Sequence, residues 1–436
     1  MLAENKSITE IIDNDYKEYC NHVIYHRAIP SMIDGFKPVQ RKIFYVMRSI
    51  HDFTKIESVS GKVIDKANYE HGGTSVSEAL TKMTQDFCGS NNIPYFIGKG
   101  SFGSQIIPNG YASPRYIFSK YNKFMDYIYL DNAILEQSDN IENPEPKHYY
   151  PIIPMVLVNG AKGIAVGFAT NISNYNPKDI IKYIQDDLTG VRYKEPLKPY
   201  YNDFKGDIDK YTCYGECEII NTTTIRVTEL PIGITREQYI EYLYKLVNKK
   251  EIEDFTDNSD DKWDITIKVK RATLADTDFN IYDKLKLSAN VNENITVIDE
   301  NGEIKVYNCV EDLIRDFVDF RIQIYYKRIE YMLKVIQEKI DRLDTHMLGI
   351  ENIPSDFINM TDKQIRSHYK SCGMNEDQID FVMGLSISRL NKTYIAKIKK
   401  DKTELRKEYK YYKEVDATDL YLADLNILLE KLNGIQ

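Results

Sequence analysis

Arg115 and Tyr116 stand side by side in Ala112-Ser113-Pro114-Arg115-Tyr116-Ile117-Phe118. A guanidinium stays charged at any working pH, and a phenol becomes an oxygen nucleophile once its proton is drawn off. With 34 tyrosines in the chain, the pair alone does not fix a reaction. Other candidates fall away on spacing. Gly98-Lys99-Gly100-Ser101-Phe102-Gly103 spells a dinucleotide loop, but Pro108, Asn109 and Gly110 stop any helix that would have to follow it. No phosphate-loop motif and no nucleophile elbow occurs. Cys213 and Cys217 have no second close Cys or His pair to complete a zinc site. The acidic pairs Asp260-Asp261 and Asp276/Asp278 do not follow a buried strand and read as solvated loops.

The elements that must position such residues fall into three regions. In the first, residues 1–125, Val39, Ile43, Val46, Met47 and Ile50 recur at helical spacing after Pro38, a good first-turn residue. Lys37, Arg41 and Arg48 extrapolate to the opposite side, which predicts a helix with an apolar back and a cationic front. Ser75-Val76-Ser77-Glu78 reads as a capping box for a second helix buried through Val76, Leu80, Met83 and Phe87. Two short helices with one basic face suit a helix-turn-helix or winged-helix DNA-binding domain.

Residues 126–305 carry strand signals at Ile152–Val158, Ile164–Ala169, Thr223–Leu230 and Trp263–Val269. Asn159-Gly160 reads as a turn, and Asn301-Gly302 as a hairpin turn between Ile295–Ile298 and Ile304–Tyr307. In residues 306–436, Ile322, Tyr326, Ile329, Leu333, Ile336, Ile340 and Leu343 step by four and three, a coiled-coil seam. A second helix is expected from about Ser388 to Val415, through Tyr394, Ile398, Leu405 and Tyr412. Pro354, Gly373 and Gly384 break the stretch between them. The expected fold is α+β and multidomain. It comprises a winged helix, a mixed α/β tower domain and a long antiparallel coiled-coil arm, with a helical dimerisation tip at about 345–385.

The net charge of −9 argues against a general nucleic-acid binder, yet residues 26–120 hold 12 Lys and Arg against 7 Asp and Glu. A locally basic segment can still hold a phosphate backbone. Six cysteines give no disulfide framework. The opening has no apolar core of signal-peptide type, and no apolar run approaches a membrane span, so a cytoplasmic protein is expected.

The order of several segments carries a resemblance. Ser113 to Ser119 (SPRYIFS) resembles the catalytic-tyrosine motif of type IIA DNA topoisomerases. Arg27 to Lys42 (RAIPSMIDGFKPVQRK) resembles that family's opening block, and Tyr69-Glu70-His71-Gly72 its histidine motif. Phe87 to Asn92 (FCGSNN) and Phe102-Gly103-Ser104 lie before the tyrosine, in family order. Pro151 to Thr170 resembles the block after it, and Asn294 to Arg328 the segment entering the coiled coil. Together these span about residues 20–415. The chain looks most like cleavage subunits of phage type, which stand apart from their ATPase. It is also similar to the cores of gyrase and topoisomerase IV cleavage subunits, without their further DNA-wrapping domain.

The resemblance implies a DNA breakage-and-reunion subunit. Tyr116 would form a transient 5′-phosphotyrosine in each strand of double-stranded DNA, so that a second duplex can pass. A phenol ionises only near pH 10, at about its ordinary pKa, so attack needs charge stabilisation at the phosphate. The resemblance gives that task to Arg115, Arg27 and His71. It places Lys37, Arg41, Lys42 and Ser113 on the DNA backbone and makes Ile164 a wedge that bends the duplex. Lys162 departs from the family, which often has an acidic residue there. Mg2+ and ATP would be bound by a partner subunit, giving a heteromer of two copies of this chain with one or more ATPase and metal-binding chains. The copies would meet at the arm and the winged-helix region. The alternatives are a different DNA strand-transfer enzyme, such as a tyrosine recombinase or type I topoisomerase, and a non-enzymatic winged-helix architectural protein with a dimerising stalk.

Overall fold

A computed structural model describes residues 7–139, 142–191, 195–209, 212–275, 280–386 and 392–434. Asp276, Asp278 and the expected helix start at Ser388 lie outside the described residues. The chain divides into two compact units, residues 1–321 with 424–436, and residues 322–423.

In the first unit, after the helical segments Ile8–Glu10 and Ile11–Tyr16, the helix Lys17–Val23 widens into the turn Ile24–Ala28 and closes when the Ile29 N–H reaches the Ile24 carbonyl at 3.2 Å. Three helices then pack together: Pro38–Met47, Ile56–Lys66 and Gly73–Thr84. Beside them runs an antiparallel sheet with Phe118–Tyr121 in the middle, Thr54–Lys55 on one side and Phe96–Lys99 on the other. The helices Pro38–Met47 and Gly73–Thr84 are the two that the apolar spacing predicts, and the sheet beside them is the wing. The Pro38 helix buries Ile43, Val46 and Met47 as expected, and Phe44 as well, while Val39 is only half-buried. Phe44 is the hub of an aromatic core, with ring centroids 4.8 Å from Tyr129, 4.9 Å from Tyr149 and 5.1 Å from Phe36. Such pairs add about 0.5–1.5 kcal/mol each beyond area burial.

Three local expectations need correction. The second helix starts at Gly73, two residues before the expected cap, and the Ser75 hydroxyl donates to the Gly72 carbonyl at 2.8 Å instead of capping. The segment Ile152–Val158 is not a strand. Pro154 starts a helical turn over Met155–Val158, and the Asn159 N–H bonds the Met155 carbonyl at 3.1 Å. A run that is apolar on every side can be buried in either state, and here the proline at the helix start decides.

Beyond it, Ala161–Ile164 and Ala169–Ile172 form a hairpin, so the expected strand Ile164–Ala169 is instead the turn that joins two strands. A four-stranded antiparallel sheet follows, in the order Asp254–Asp257, Ile265–Lys268, Thr224–Glu229, Glu216–Asn221. The alternating Ile225, Val227, Ile265 and Ile267 are fully buried, packed with Tyr239, Leu243 and Leu246 of the helix Arg236–Asn248. The Asn301-Gly302 hairpin forms with the expected strands, Gly302 taking a φ of 81°.

The long helix spans Val310–Glu351, twelve residues earlier than the seam shows, and fully buried Arg321 pairs with Asp131 in the first unit. In the second unit Tyr325 stacks on Tyr421 at 4.9 Å, Asp344 pairs with Lys402, and His346 packs on Tyr394 at 6.0 Å. Partners that retreat as the helix advances make it antiparallel to Lys392–Glu414. Ile336 and Ile340 are buried as expected, but Tyr326 is half exposed and Tyr325 takes the inward place. The tip is a small core of Ile365, Tyr369, Met374, Ile379 and Val382 from the helices Asp362–Ser371 and Glu376–Met383. Capping boxes at Thr361 and Asn375 start both helices. No helix among the described residues is long and apolar enough to cross a membrane.

Candidate active site and nucleic-acid interface

Tyr116 lies on a tight loop just before the central strand of the wing. Its N–H bonds the Ser113 carbonyl at 2.8 Å, closing a turn over Pro114 and Arg115. The start of the helix Ile56–Lys66 holds that turn from below: the Ile56 N–H reaches the Ile117 carbonyl at 3.0 Å and the Glu57 N–H the Pro114 carbonyl at 3.1 Å. Ile117 is fully buried against Gly100, where a Cβ would lie 2.9 Å from its methyl group. Gly100 also takes a φ of 108°, which side-chain residues rarely adopt. With Ile117 as the anchor, the next side chain back is turned outward, and Tyr116 is 70% exposed. The Arg115 guanidinium extends beside it, 3.8 Å from the Glu57 carboxylate in a pair exposed on both sides. Such a contact holds the cation weakly, leaving it available to another anion.

Arg27 ends the wide turn Ile24–Ala28 and lines a cavity of about 1090 Å³ together with Lys37, Gln40, Tyr69, Lys82 and Lys162. Lys37 donates to the Lys162 carbonyl at 2.6 Å. Burial, then the nearby Lys82, lower its pKa. His71 is exposed, edge-on to Tyr69 at 5.4 Å. The structure thus brings Arg27 and Lys37 to one basic hollow, with the Tyr69–His71 motif at hand. Arg115 and Tyr116 are not among the residues lining that hollow.

Ile164 is 88% exposed at the end of its strand, where the Ala165 N–H closes the hairpin onto the Phe168 carbonyl at 2.8 Å. The hairpin root is pressed onto the first segment, since a Cβ on Gly163 would lie 2.1 Å from the Ala28 carbonyl and 3.0 Å from the Lys37 ammonium. Arg27, Lys37 and Ile164 therefore belong to one packed assembly. A buried strand residue would be covered; Ile164 is not.

Two expected DNA contacts are corrected. Arg41 turns inward, its guanidinium bonding both oxygens of fully buried Asp34 at 2.7 and 3.0 Å. Lys42 is buried too, 2.8 Å from Glu145, 2.6 Å from the Ala67 carbonyl and 2.9 Å from the Asn143 amide oxygen. Helical angle placed Arg41 opposite the apolar stripe, but Asp34 covers it there, and Lys42 is covered by Glu145. Arg48 likewise lies over the Tyr149 ring at 5.6 Å and bonds Asn132. The cations missed by sequence reasoning are Lys82 in the hollow and Lys99 and Lys120, which lie 5.9 and 4.6 Å from the Phe53 ring centre. Their four-residue strands were too short to show a period.

Asp260 and Asp261 are exposed, and among the described residues no group of three or more His, Cys, Asp or Glu stands ready to hold a metal ion. Cys213 is buried in the core, where desolvation pushes its thiol up to about 11.

The family model for the A-type chain of DNA gyrase and topoisomerase IV matches residues 27–428. The mitochondrial DNA topoisomerase 2 of Dictyostelium discoideum is 32% identical over 460 residues, which is 98% of this chain and 36% of that protein. The DNA topoisomerase medium subunit of Enterobacteria phage T4 is 30% identical over 448 residues, covering 98% of this chain and 99% of that protein. The crystal structure of the DNA-binding, cleavage and re-ligation domain of Plasmodium falciparum topoisomerase II superposes with a TM-score of 0.84 at 26% identity, over 97% of this chain and 64% of that one. The chain thus spans about a third of the first relative and almost all of the second.

Proposed function

From the premise that this chain belongs to the family of DNA gyrase and topoisomerase IV A-type chains, we propose that it is the DNA-breaking and rejoining subunit of a type II topoisomerase, with Tyr116 as nucleophile. The observation that carries this reading is the presentation of Tyr116: a phenol 70% exposed on a turn whose backbone is pinned on both sides. A buried structural tyrosine would need none of that support. A flexible surface tyrosine would lack it.

In the step proposed, the phenolic oxygen attacks the backbone phosphorus. A P–O bond to Tyr116 forms as the P–O3′ bond breaks. The phenol gives up one proton and the departing 3′-oxygen takes one up. A phosphoester replaces a phosphoester, so rejoining is the same exchange run backwards and needs no activated intermediate. Charge builds on the phosphate oxygens in the transition state, and fixed cations aimed there stabilise it without reorganisation. Arg115 supplies the first. Arg27 and His71 are assigned to the same phosphate, with Lys37 and Ser113 on the neighbouring backbone and exposed Ile164 as the wedge. The hollow lined by Arg27, Lys37, Lys82 and Lys162 supports a groove that follows a phosphate backbone.

Mg2+ is implied by the family, but the donor set of this chain does not fit it: the described residues bring no carboxylate cluster together. Mg2+ and ATP are assigned to a partner chain, and the phage relative's name, a medium subunit, favours such a complex. Two copies of this chain are proposed to pair through the arm tip and the winged-helix region.

The test is trapping. The chain, reconstituted with its ATPase and metal-binding partner, is mixed with duplex DNA and Mg2+ and stopped with denaturant. A covalent protein–DNA adduct on 5′ ends is expected from the natural chain and none from Tyr116→Phe. An undiminished adduct in that variant, or linkage to 3′ ends, overturns the assignment.

A further inference from the structure

Burial alternates along Phe118–Tyr121, the central strand of the wing: Ser119 and Tyr121 are covered, Phe118 and Lys120 half-buried. The alternation runs back through the turn, since Ile117 is fully buried and Tyr116 exposed. Tyr116, Phe118 and Lys120 therefore share the outer side of the wing. Cross-strand pairing sets their neighbours. Phe118 stands between Lys99 and Lys55, and Lys120 stands opposite Ile97. Phe53, just before the edge strand, closes the pattern: its ring centre lies 4.6 Å from the Lys120 ammonium and 5.9 Å from that of Lys99. Both distances allow a cation–π contact. Each lysine thus has an apolar neighbour along which its stem can lie while its ammonium stays in water. The counter-charge is missing. Among the described residues no carboxylate pairs with Lys55, Lys99 or Lys120, and Glu57, two residues from Lys55, faces Arg115 instead. Like charges gathered on one face repel each other until a polyanion covers them.

On the reading that DNA is held at Tyr116, we propose that this face of the wing is a track for the duplex backbone beside the cleaved bond, with Lys55, Lys99 and Lys120 as its cations. Four residues of extended chain reach about 14 Å. Duplex DNA rises about 3.4 Å per step, so Lys120 falls within about four base pairs of the cut. Ammonium groups on phosphates carry no base information, so the track adds affinity without sequence preference. Phe53, Lys55, Ile97, Lys99 and Lys120 all lie outside the segments that carry the family resemblance, which assigns them nothing.

The test is equilibrium binding of the chain, reconstituted with its ATPase and metal-binding partner, to duplex DNA without Mg2+. Fluorescence anisotropy is followed over a range of KCl concentrations. Each phosphate contact contributes about 0.9 to the slope of log K against log salt, so Lys99→Gln with Lys120→Gln should flatten it by about 1.8. Affinity should fall alike on unrelated sequences. Lys99→Arg with Lys120→Arg should keep the natural slope, because the track uses charge. An unchanged slope in the glutamine variant overturns the track, and so does a slope that falls equally in the arginine variant. A glutamine variant that sheds the partner chain while keeping its slope would give the face to an acidic protein surface and end the proposal. These failures leave the Tyr116 adduct untouched, and an adduct that survives Tyr116→Phe leaves the slope test standing. A natural complex that binds no DNA would instead overturn the reading of the substrate.

Discussion

Among single residues, the same kind of side chain has opposite uses depending on what covers it. Arg115 and Arg41 are both guanidiniums in the basic stretch, yet Arg115 is exposed and Arg41 neutralises Asp34, which is fully buried and also accepts N–H bonds from Phe36 and Tyr149. Removing one partner of a buried ion pair strands the other charge, at a cost of about 3–5 kcal/mol. Arg41→Ala should therefore lower the unfolding midpoint in urea sharply and leave the salt dependence of DNA binding unchanged. A flattened salt slope with normal stability would restore Arg41 to the DNA. His148 sits near the same pair, and burial first, then Arg41, push its imidazole down to about 4 from an ordinary 6.5. Above pH 6.5 neither the folded nor the unfolded chain binds that proton. As pH falls from 6.5 towards 4 the unfolded chain takes it up and the folded chain does not, so stability drops. The loss is at most about 3 kcal/mol. Urea unfolding at pH 7 and pH 4.5 should show a smaller drop in His148→Gln than in the natural chain, and equal drops would contradict this.

At the level of elements, the hairpin Ala161–Ile164/Ala169–Ile172 separates anchoring from action. Its root is fixed where Gly163 meets the Ala28 carbonyl, and its exposed end carries Ile164. Ile164→Ala should leave the unfolding midpoint where it is, since an 88% exposed side chain has little packing to lose. It should reduce DNA bending measured by energy transfer between end labels. Gly163→Ala should lower the midpoint as well as reduce bending, because a Cβ 2.1 Å from a carbonyl forces the root away. The strain is of order 1–3 kcal/mol. Bending unchanged in Ile164→Ala would return that residue to a plain surface role. The wing follows the same division: buried Ile117 anchors and exposed Tyr116 faces out.

For the molecule as a whole, the two units call for different kinds of test. The first holds the proposed chemistry; the second carries, between the long helix and the helix Asp362–Ser371, a turn, Phe357–Asn359, that exposes Ile358 by 92% and Phe357 by 42%. Apolar side chains left open there, within the segment expected to form the tip, favour the dimer contact proposed for it. Burying one isoleucine contributes about 1.5–3 kcal/mol. Ile358→Asp should therefore raise the dimer dissociation constant by tenfold or more in sedimentation equilibrium, with the helical content retained. An unchanged constant would place the contact elsewhere.

What the sequence determined by itself was periodic or local. The apolar faces of the Pro38 helix and the long arm, the Asn301-Gly302 hairpin and the order of the blocks around Tyr116 were legible because each depends on near neighbours or on a repeat. Only the tertiary structure decided the rest. Glu145 comes from a distant segment, and Asp34, though just before the Pro38 helix, is folded back onto it and buried; they turned two expected DNA contacts into buried ion pairs. The apolar run at Ile152–Val158 became a helical turn because burial on all sides removes the difference between helix and strand. Exposure is likewise a property of packing: nothing in the local sequence separates fully buried Ile117 from Ile164 at 88%, and the proposed function depends on that difference.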